Sequence, residues 1–288
     1  MNCILEKLHV ESGYLWVSDS FDSTFCHNYF LYGILENDRF SVCVIDESQA
    51  DLMAVQVVDS KQMLENDQNL IDAIGKIKFI RNDYRKMLVA VQSNRNCLLP
   101  SAPQAELKQL AELEIIPPNE NEQWVAQSIL SGKLSLLSVC SSEAIKTLEN
   151  NLSNVKIEAL PAVFIEEGER LTKFKPEAIC RWLISKEISY LCIFDNKELL
   201  IFNQFEIDNT EDLLYYTLNV FEQLKLTADQ VQVEISGKSK SFELDAKLAN
   251  EYLPSLSRQF DIQGLKADLI NDSSITENFT LLNMFLCG

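Results

Sequence analysis

The sequence predicts an α/β fold of mixed sheets and helices, arranged as two similar domains. Three observations predict it. At 288 residues the chain has room for about two domains of roughly 150 residues each. Its apolar fraction of 47% and charged fraction of 24% are globular, with enough apolar material for two cores. And one pattern occurs twice. The first copy reads YFLYGILENDRFSVCVIDESQADLMAVQVV, then KQMLENDQNLIDAI, then KMLVAVQ. The second reads ISYLCIFDNKELLIFNQFEI, then TEDLLYYTLNVFEQL, then VQVEIS. Each is a strand, a tight polar turn, two more strands, an amphipathic helix and a further strand. Aligned on the turns at Asn37 and Asp195, the copies lie 158 positions apart; aligned on the last strands at Met87 and Val231, they lie 144 apart.

Residues 1–28 form a preamble, with a possible hairpin turning at Glu11-Ser12-Gly13. From Tyr29 the first copy begins. Arg39 to Asp46 is apolar on both faces, with Phe40, Val42 and Val44 on one and Cys43 and Ile45 on the other, as befits a central strand. Asp51 to Val58 is the next strand. Gln62 to Ile74 reads as a helix with Leu64, Leu70, Ile71 and Ile74 inward, and Gly75 is placed to end it. Met87 to Gln92 is a strand. Ser101 can cap a helix over Gln104 to Leu113, stopped by Pro117-Pro118.

Trp124 to Leu130 and Leu134 to Cys140 are two further strands. Ser141 or Ser142 caps a short helix to Asn150, and Val155 to Leu160 is a strand. The charged run Glu166 to Glu177, with Gly168 and Pro176, reads as a solvated linker. It divides the chain into domains 1–165 and 166–288. The clearest helix follows the second copy's strands. Asp208, Asn209 or Thr210 supplies its cap, Glu211 and Asp212 suit its positive end, and Leu214, Leu218, Phe221 and Leu224 form its inward stripe. Of Tyr215 and Tyr216, one faces away from the stripe. The remainder holds one or two helices and a strand, and the terminal FTLLNMFLCG packs back on the body.

The net charge of −18 disfavours nucleic acid and anionic membranes, since both require clustered cations. Arg81, Arg85 and Lys86 form the densest basic group. No stretch has the length of a membrane helix, and no signal peptide is visible. Eight scattered cysteines without a C-x-x-C spacing read as small buried hydrophobes in a reducing, cytoplasmic setting.

A strand–turn–strand–strand–helix–strand unit used twice is the ribonuclease-H-like module of the actin, hexokinase and Hsp70 superfold. The second half, LLIFNQFEIDNTEDLLYYTLNVFEQLKL followed by VQVEISGK, resembles an uncharacterised bacterial family with an actin-like ATPase fold. The shared positions are Leu199, Asn203, Phe205, Asp212, Leu214, Tyr215, Tyr216 and Gly237, and NDRFSVCVID in the first half is similar too. The resemblance implies duplicated ribonuclease-H-like domains and no particular activity.

In working members of the superfold, two hairpin turns with Gly beside Asp wrap the phosphates, and a Gly-Gly at a later strand end admits adenosine. Here both expected turns, Leu35 to Arg39 and Phe194 to Glu198, lack Gly, and the adenosine position, Ser236-Gly237-Lys238, has one Gly. Asn-Asp and Asp-Asn also suit two-residue hairpins, because they tolerate positive φ. If nucleotide binds, Asp38, Asp195 and Gly237 are the candidates to hold it.

The Gly237-Lys238-Ser239 triplet lacks the earlier Gly of a P-loop, Gln232 standing there. His9 and His27 have no metal-ligand spacing, and Cys26-His27 are sequence neighbours, poorly placed for a dyad. No catalytic residue, metal or cofactor is assigned. The sequence thus favours a non-catalytic scaffold or adaptor acting through a protein partner. The alternative is a divergent ATPase or kinase-like enzyme of the same superfold.

Overall fold

A computed structural model describes residues 13–101, 118–173, 175, 177–237, 242–258 and 279–287. Its first sheet opens with β1 (Gly13–Val17), followed by an antiparallel meander of β2 (Phe30–Leu35), β3 (Arg39–Asp46) and β4 (Asp51–Asp59). β5 (Lys86–Val91) runs parallel to β2, and β9 (Val155–Ala159) runs parallel to β5. The order is β1-β4-β3-β2-β5-β9. Between β5 and β9 a small antiparallel sheet is inserted, built from β6 (Arg95–Pro100), β7 (Glu122–Ile129) and β8 (Leu134–Ser141) in the order β6-β8-β7.

The second large sheet repeats the plan. β10 (Ala178–Ile184), β11 (Ser189–Asp195) and β12 (Glu198–Phe205) form its meander. β13 (Val231–Gly237) lies parallel to β10, and β14 (Leu256–Arg258) parallel to β13, giving the order β12-β11-β10-β13-β14. These are the strand order and directions of β4-β3-β2-β5-β9. The chain is therefore an α/β protein of duplicated ribonuclease-H-like sheets, the actin-like plan.

The equivalence corrects the repeat alignment. Phe30 of β2 pairs with Lys86 and Ala178 of β10 pairs with Val231, so β2 matches β10. The turn matching Glu36–Asp38 is therefore Ser185–Ile188. The Asp195-Asn196 turn joins β11 to β12 and matches the turn between β3 and β4.

Helices α1 (Asp67–Lys76) and α2 (Ser142–Asn151) cover the outer face of the first sheet. α1 starts later than Gln62 because Asn66 caps it, accepting from the Gln68 and Asn69 amides. Gly75 lies inside α1, and the helix ends at an extended Ile77. Ser141 caps α2. The outer face of the second sheet is covered by α4 (Thr210–Leu224), capped by Asn209, and α5 (Ala246–Tyr252). Leu213, Leu214, Thr217, Val220 and Phe221 are the buried side of α4, while Leu218 and Leu224 are only partly covered. Tyr215 faces solvent and Tyr216 stacks on Phe205 at 4.2 Å. The expected 104–113 helix lies outside the described residues.

The stretch expected to be a linker is mostly helix. α3 (Leu160–Thr172) runs between the two sheets with Glu167 and Gly168 fully covered, so the expected boundary at 165/166 falls inside it. Its apolar run Leu160 to Ile165 joins one continuous core with Tyr32, Ile34 and Leu88 of the first sheet and Leu183, Tyr190, Cys192 and Phe194 of the second. α6 (Phe279–Asn283) and a 3-10 turn, Met284–Cys287, fill the rest of that layer through Leu281, Leu282 and Met284. Charged residues enter this layer because they are paired. Arg181 on β10 lies 3.2 Å from Glu167 of α3 and 3.4 Å from Glu234 of β13. Lys175 completes the Glu234 pair, Asn283 of α6 donates to Glu167, and Phe164 lies under the guanidinium.

Two outcomes are expected in thermal or urea denaturation. Arg181→Ala strands Glu167 in the core without a cation, leaves Glu234 with Lys175 alone, and should destabilise by about 3–5 kcal/mol. Gly237 has φ +79, and a Cβ there would sit 2.2 Å from the Ile184 carbonyl. Gly237→Ala should therefore cost about 1–3 kcal/mol, more than a typical surface change.

Candidate functional site

The turns after the first strand of each sheet, β2 to β3 and β10 to β11, meet face to face. Each residue of the first turn has a partner in the second or beside it. Glu36 takes a hydrogen bond from the Ser185 hydroxyl. Asn37 Nδ2 donates to Glu187 at 2.6 Å and to Glu65 at 3.3 Å. Lys186 stands 3.9 Å from Asp38. Gln92, just past the end of β5, accepts from the Asn37 amide and donates to Ser185 at 2.9 Å.

Asn37 is the pin of this arrangement. It is 6% exposed, and its side-chain and main-chain oxygens accept from the amides of Leu64 and Met63. The contact broadens alongside: the Tyr190 hydroxyl of β11 donates to the Ser93 carbonyl, and Gln204 of β12 accepts from Asn96.

The junction is acidic. Glu36, Asp38, Asp59, Glu65 and Glu187 gather there, with Arg39 and Lys186 as their cations. Burial pushes the Glu36 carboxyl up to about 7, against the Ser185 hydrogen bond and the nearby Arg39 charge.

Two hollows flank the junction. Inward, Glu36, Arg39, Ser41, Leu183, Gly237 and Thr280 line a cavity of about 20 Å³. That is room for about one water and far too little for an adenine ring. Outward lies a groove of about 310 Å³ whose charged lining is Glu65, Glu122, Glu143, Glu187 and Arg95. Arg95 is paired with Glu122. Carboxylates in that excess repel a polyphosphate.

Of the nucleotide candidates, Asp38 and Gly237 meet at the junction and Asp195 does not. Asp38 is at the junction. Asp195 is at the far end of β11, about 20 Å away along a seven-residue strand. Its turn is a two-residue hairpin with Asn196 at φ 47 and Lys197 at φ 70, the geometry Asn tolerates. Gly237 is at the junction end of β13 and lines the small cavity, where it permits close approach of β10 and β13. Lys238 and Ser239, like His9, lie outside the described residues.

Cys26 is held by Asn82 at 3.3 Å, and the His27 ring stacks on Phe25. Among the described residues no three His, Cys, Asp or Glu side chains converge as a metal site. Of the Glu166, Glu167 and Glu169 cluster, Glu167 is a buried partner of Arg181, and Glu166 accepts from the Leu130 amide. Ser185, Glu187 and Gln92 were not singled out by sequence reasoning. The only sequence signal for Ser185 and Glu187 is the place of Ser-Lys-Glu-Ile after a strand, and for Gln92 its place at the end of one.

A family model described as "Protein of unknown function (DUF3822)" matches residues 18–256. The chain belongs to this family. No curated protein matches it. Among solved structures, this DUF3822 chain is similar to a Bacteroides thetaiotaomicron protein with an actin-like ATPase fold and unknown function. That match has a TM-score of 0.73 and 16% identity, covering 90% of this chain and 98% of the other. It is also similar to a chain of the PilM-PilN type IV pilus biogenesis complex, with a TM-score of 0.62 and 14% identity over 89% and 97%. At such identities the likeness is one of fold.

Asn37→Ala removes the pin and leaves the Leu64 amide without its acceptor; a loss of about 1–3 kcal/mol is expected in chemical denaturation. Asp195→Ala should stay within about 0.5 kcal/mol of the parent protein.

Proposed function

We propose that this DUF3822 protein is a non-catalytic actin-like scaffold or adaptor, cytoplasmic, that works by holding a protein partner. One observation carries the reading. The two turns that would wrap the phosphates of a nucleotide instead hold each other, through Asn37 and Glu187 and through Asp38 and Lys186, with Gln92 past the end of β5 bridging Asn37 and Ser185. A nucleotide entering there must break these contacts and face an excess of carboxylates in place of backbone amides. The small cavity beside Gly237 leaves no volume for its base.

The partner role is supported by fold likeness to PilM, which forms a complex with PilN. For the compartment, the six free cysteines among the described residues, five of them buried, fit a reducing setting. No helix among the described residues is long and apolar enough to cross a membrane. We further propose two domains, divided within 160–177, with α3 shared between them.

Titration calorimetry with Mg-ATP and Mg-ADP tests the reading. No binding heat is expected at millimolar nucleotide. Micromolar binding, weakened by Lys186→Ala, would overturn it in favour of a divergent ATPase or kinase-like enzyme.

A further inference from the structure

We propose, resting on the scaffold reading, that the protein partner docks on the open edge of β12 by adding an extended segment with basic flanks as a further antiparallel strand. The duplication shows what this edge lacks. β4 and β12 are the same strand of the two sheets, and their registers shift at the same place. Ala54 faces Val44 and Leu52 faces Ile45, with Met53 left over. Ile201 faces Ile193 and Leu199 faces Phe194, with Leu200 left over. Ala54–Val58 therefore correspond to Ile201–Phe205. In the first sheet those residues are paired, one for one, with Val17 back to Gly13 of β1. In the second, no strand among the described residues takes up that edge.

The difference shows in exposure. From Ala54 to Val58 every residue is buried, and from Ile201 to Phe205 none is. Met53 is buried, while its counterpart Leu200 is 41% exposed. The main chain is turned outward as well. The Gln204 amide donates to the side chain of Asn203, its own neighbour, at 2.9 Å, and so points away from β11. Alternation along an antiparallel strand turns the Phe202 amide the same way. These two are the counterparts of Val57 and Val55, which face Tyr14 and Trp16 of β1. Sheet edges are ordinarily guarded by charge, Pro or shortness. β9 carries Lys156 and Glu158, and β14 has 3 residues. The stretch Ile201-Phe202-Asn203-Gln204-Phe205 has none of these guards, and its bulge is shared with the covered β4.

Pattern and charge specify the occupant. A strand laid here in the register of β1 runs from Phe205 to Ile201. It presents apolar side chains beside Phe205, Phe202 and Ile201, and polar ones beside Gln204 and Asn203. Its ends meet Glu206 and Asp208 on one side and Glu198 and Asp195 on the other, with Lys197 the cation between the last two. Basic flanks answer those carboxylates. A second copy does not: β12 set antiparallel on β12 would bring the carboxylates of one end against those of the other.

Hydrogen exchange on the free protein is the first test. The Phe202 amide should exchange at least about a hundredfold faster than the Val55 amide, its covered counterpart. Equal protection means that the edge is already taken, by the chain itself or by a second copy, and overturns the proposal. The second test is fluorescence anisotropy with the labelled peptide Lys-Lys-Val-Thr-Thr-Val-Ile-Lys-Lys and its twin with Glu in place of Lys. The lysine peptide should bind at least about tenfold more tightly and should slow the Phe202 amide. N-methylation of the peptide residues opposite Gln204 and Phe202 should abolish binding. N-methylation of the residue opposite Asn203, whose amide points away, should spare it. No binding at millimolar peptide, equal binding of the twins, or equal loss from the two methylations overturns the proposal. Nucleotide calorimetry shares none of these readouts, so the scaffold reading and the strand site fail separately.

Discussion

Arg181 is the residue around which the molecule is assembled. It sits on the first strand of the second sheet with 1% of its surface exposed, and its charge survives there only because α3 brings Glu167 and β13 brings Glu234. Burial opposes that charge, and the facing carboxylates more than offset it. Such a cluster is a poor source of net stability but a strict one of arrangement, since any misplacement leaves a bare charge in the core. It dictates how deep α3 lies, hence how far apart the two sheets stand. Asn283 adds α6 to the same constraint.

Once α3 and α6 occupy the space between the sheets, the ends of β2 and β10 are drawn close. The turns that follow them are then too near to admit a ligand between them, and polar groups brought so close must satisfy one another. The Asn37 pin answers that requirement. The likeness in fold to actin-type proteins and the lack of room for a nucleotide between the two turns are therefore compatible: the topology is retained, and the spacing is set by what lies between its halves.

Much of the fold is legible in the sequence. The bounds of β3 and the start of α2 could be read because apolar runs ended at Asp46 and Ser141, residues with plain turn and cap chemistry. The site was less legible. β10 carries an arginine in mid-strand and is followed by Ser-Lys-Glu-Ile, with no Gly, Pro or Asn to announce a turn, so the Asp-Asn hairpin one strand later draws the alignment to itself. α3 was misread for a related reason. Its glutamates suggested solvent, and only the three-dimensional placement of Arg181 shows why one of them is buried. Long-range charge pairing leaves no periodic trace in a sequence.

The core layer shared by the two sheets has a further consequence for how the protein comes apart. Tyr32 and Leu88 from one half and Leu183 and Phe194 from the other belong to one apolar body, with α3 and α6 inside it. Separating the halves would lay this layer bare on both sides, while the cores on the outer faces of the two sheets stayed closed. The joint is therefore held by buried apolar surface, and relative motion of the halves is costly in proportion to how much of that layer it wets.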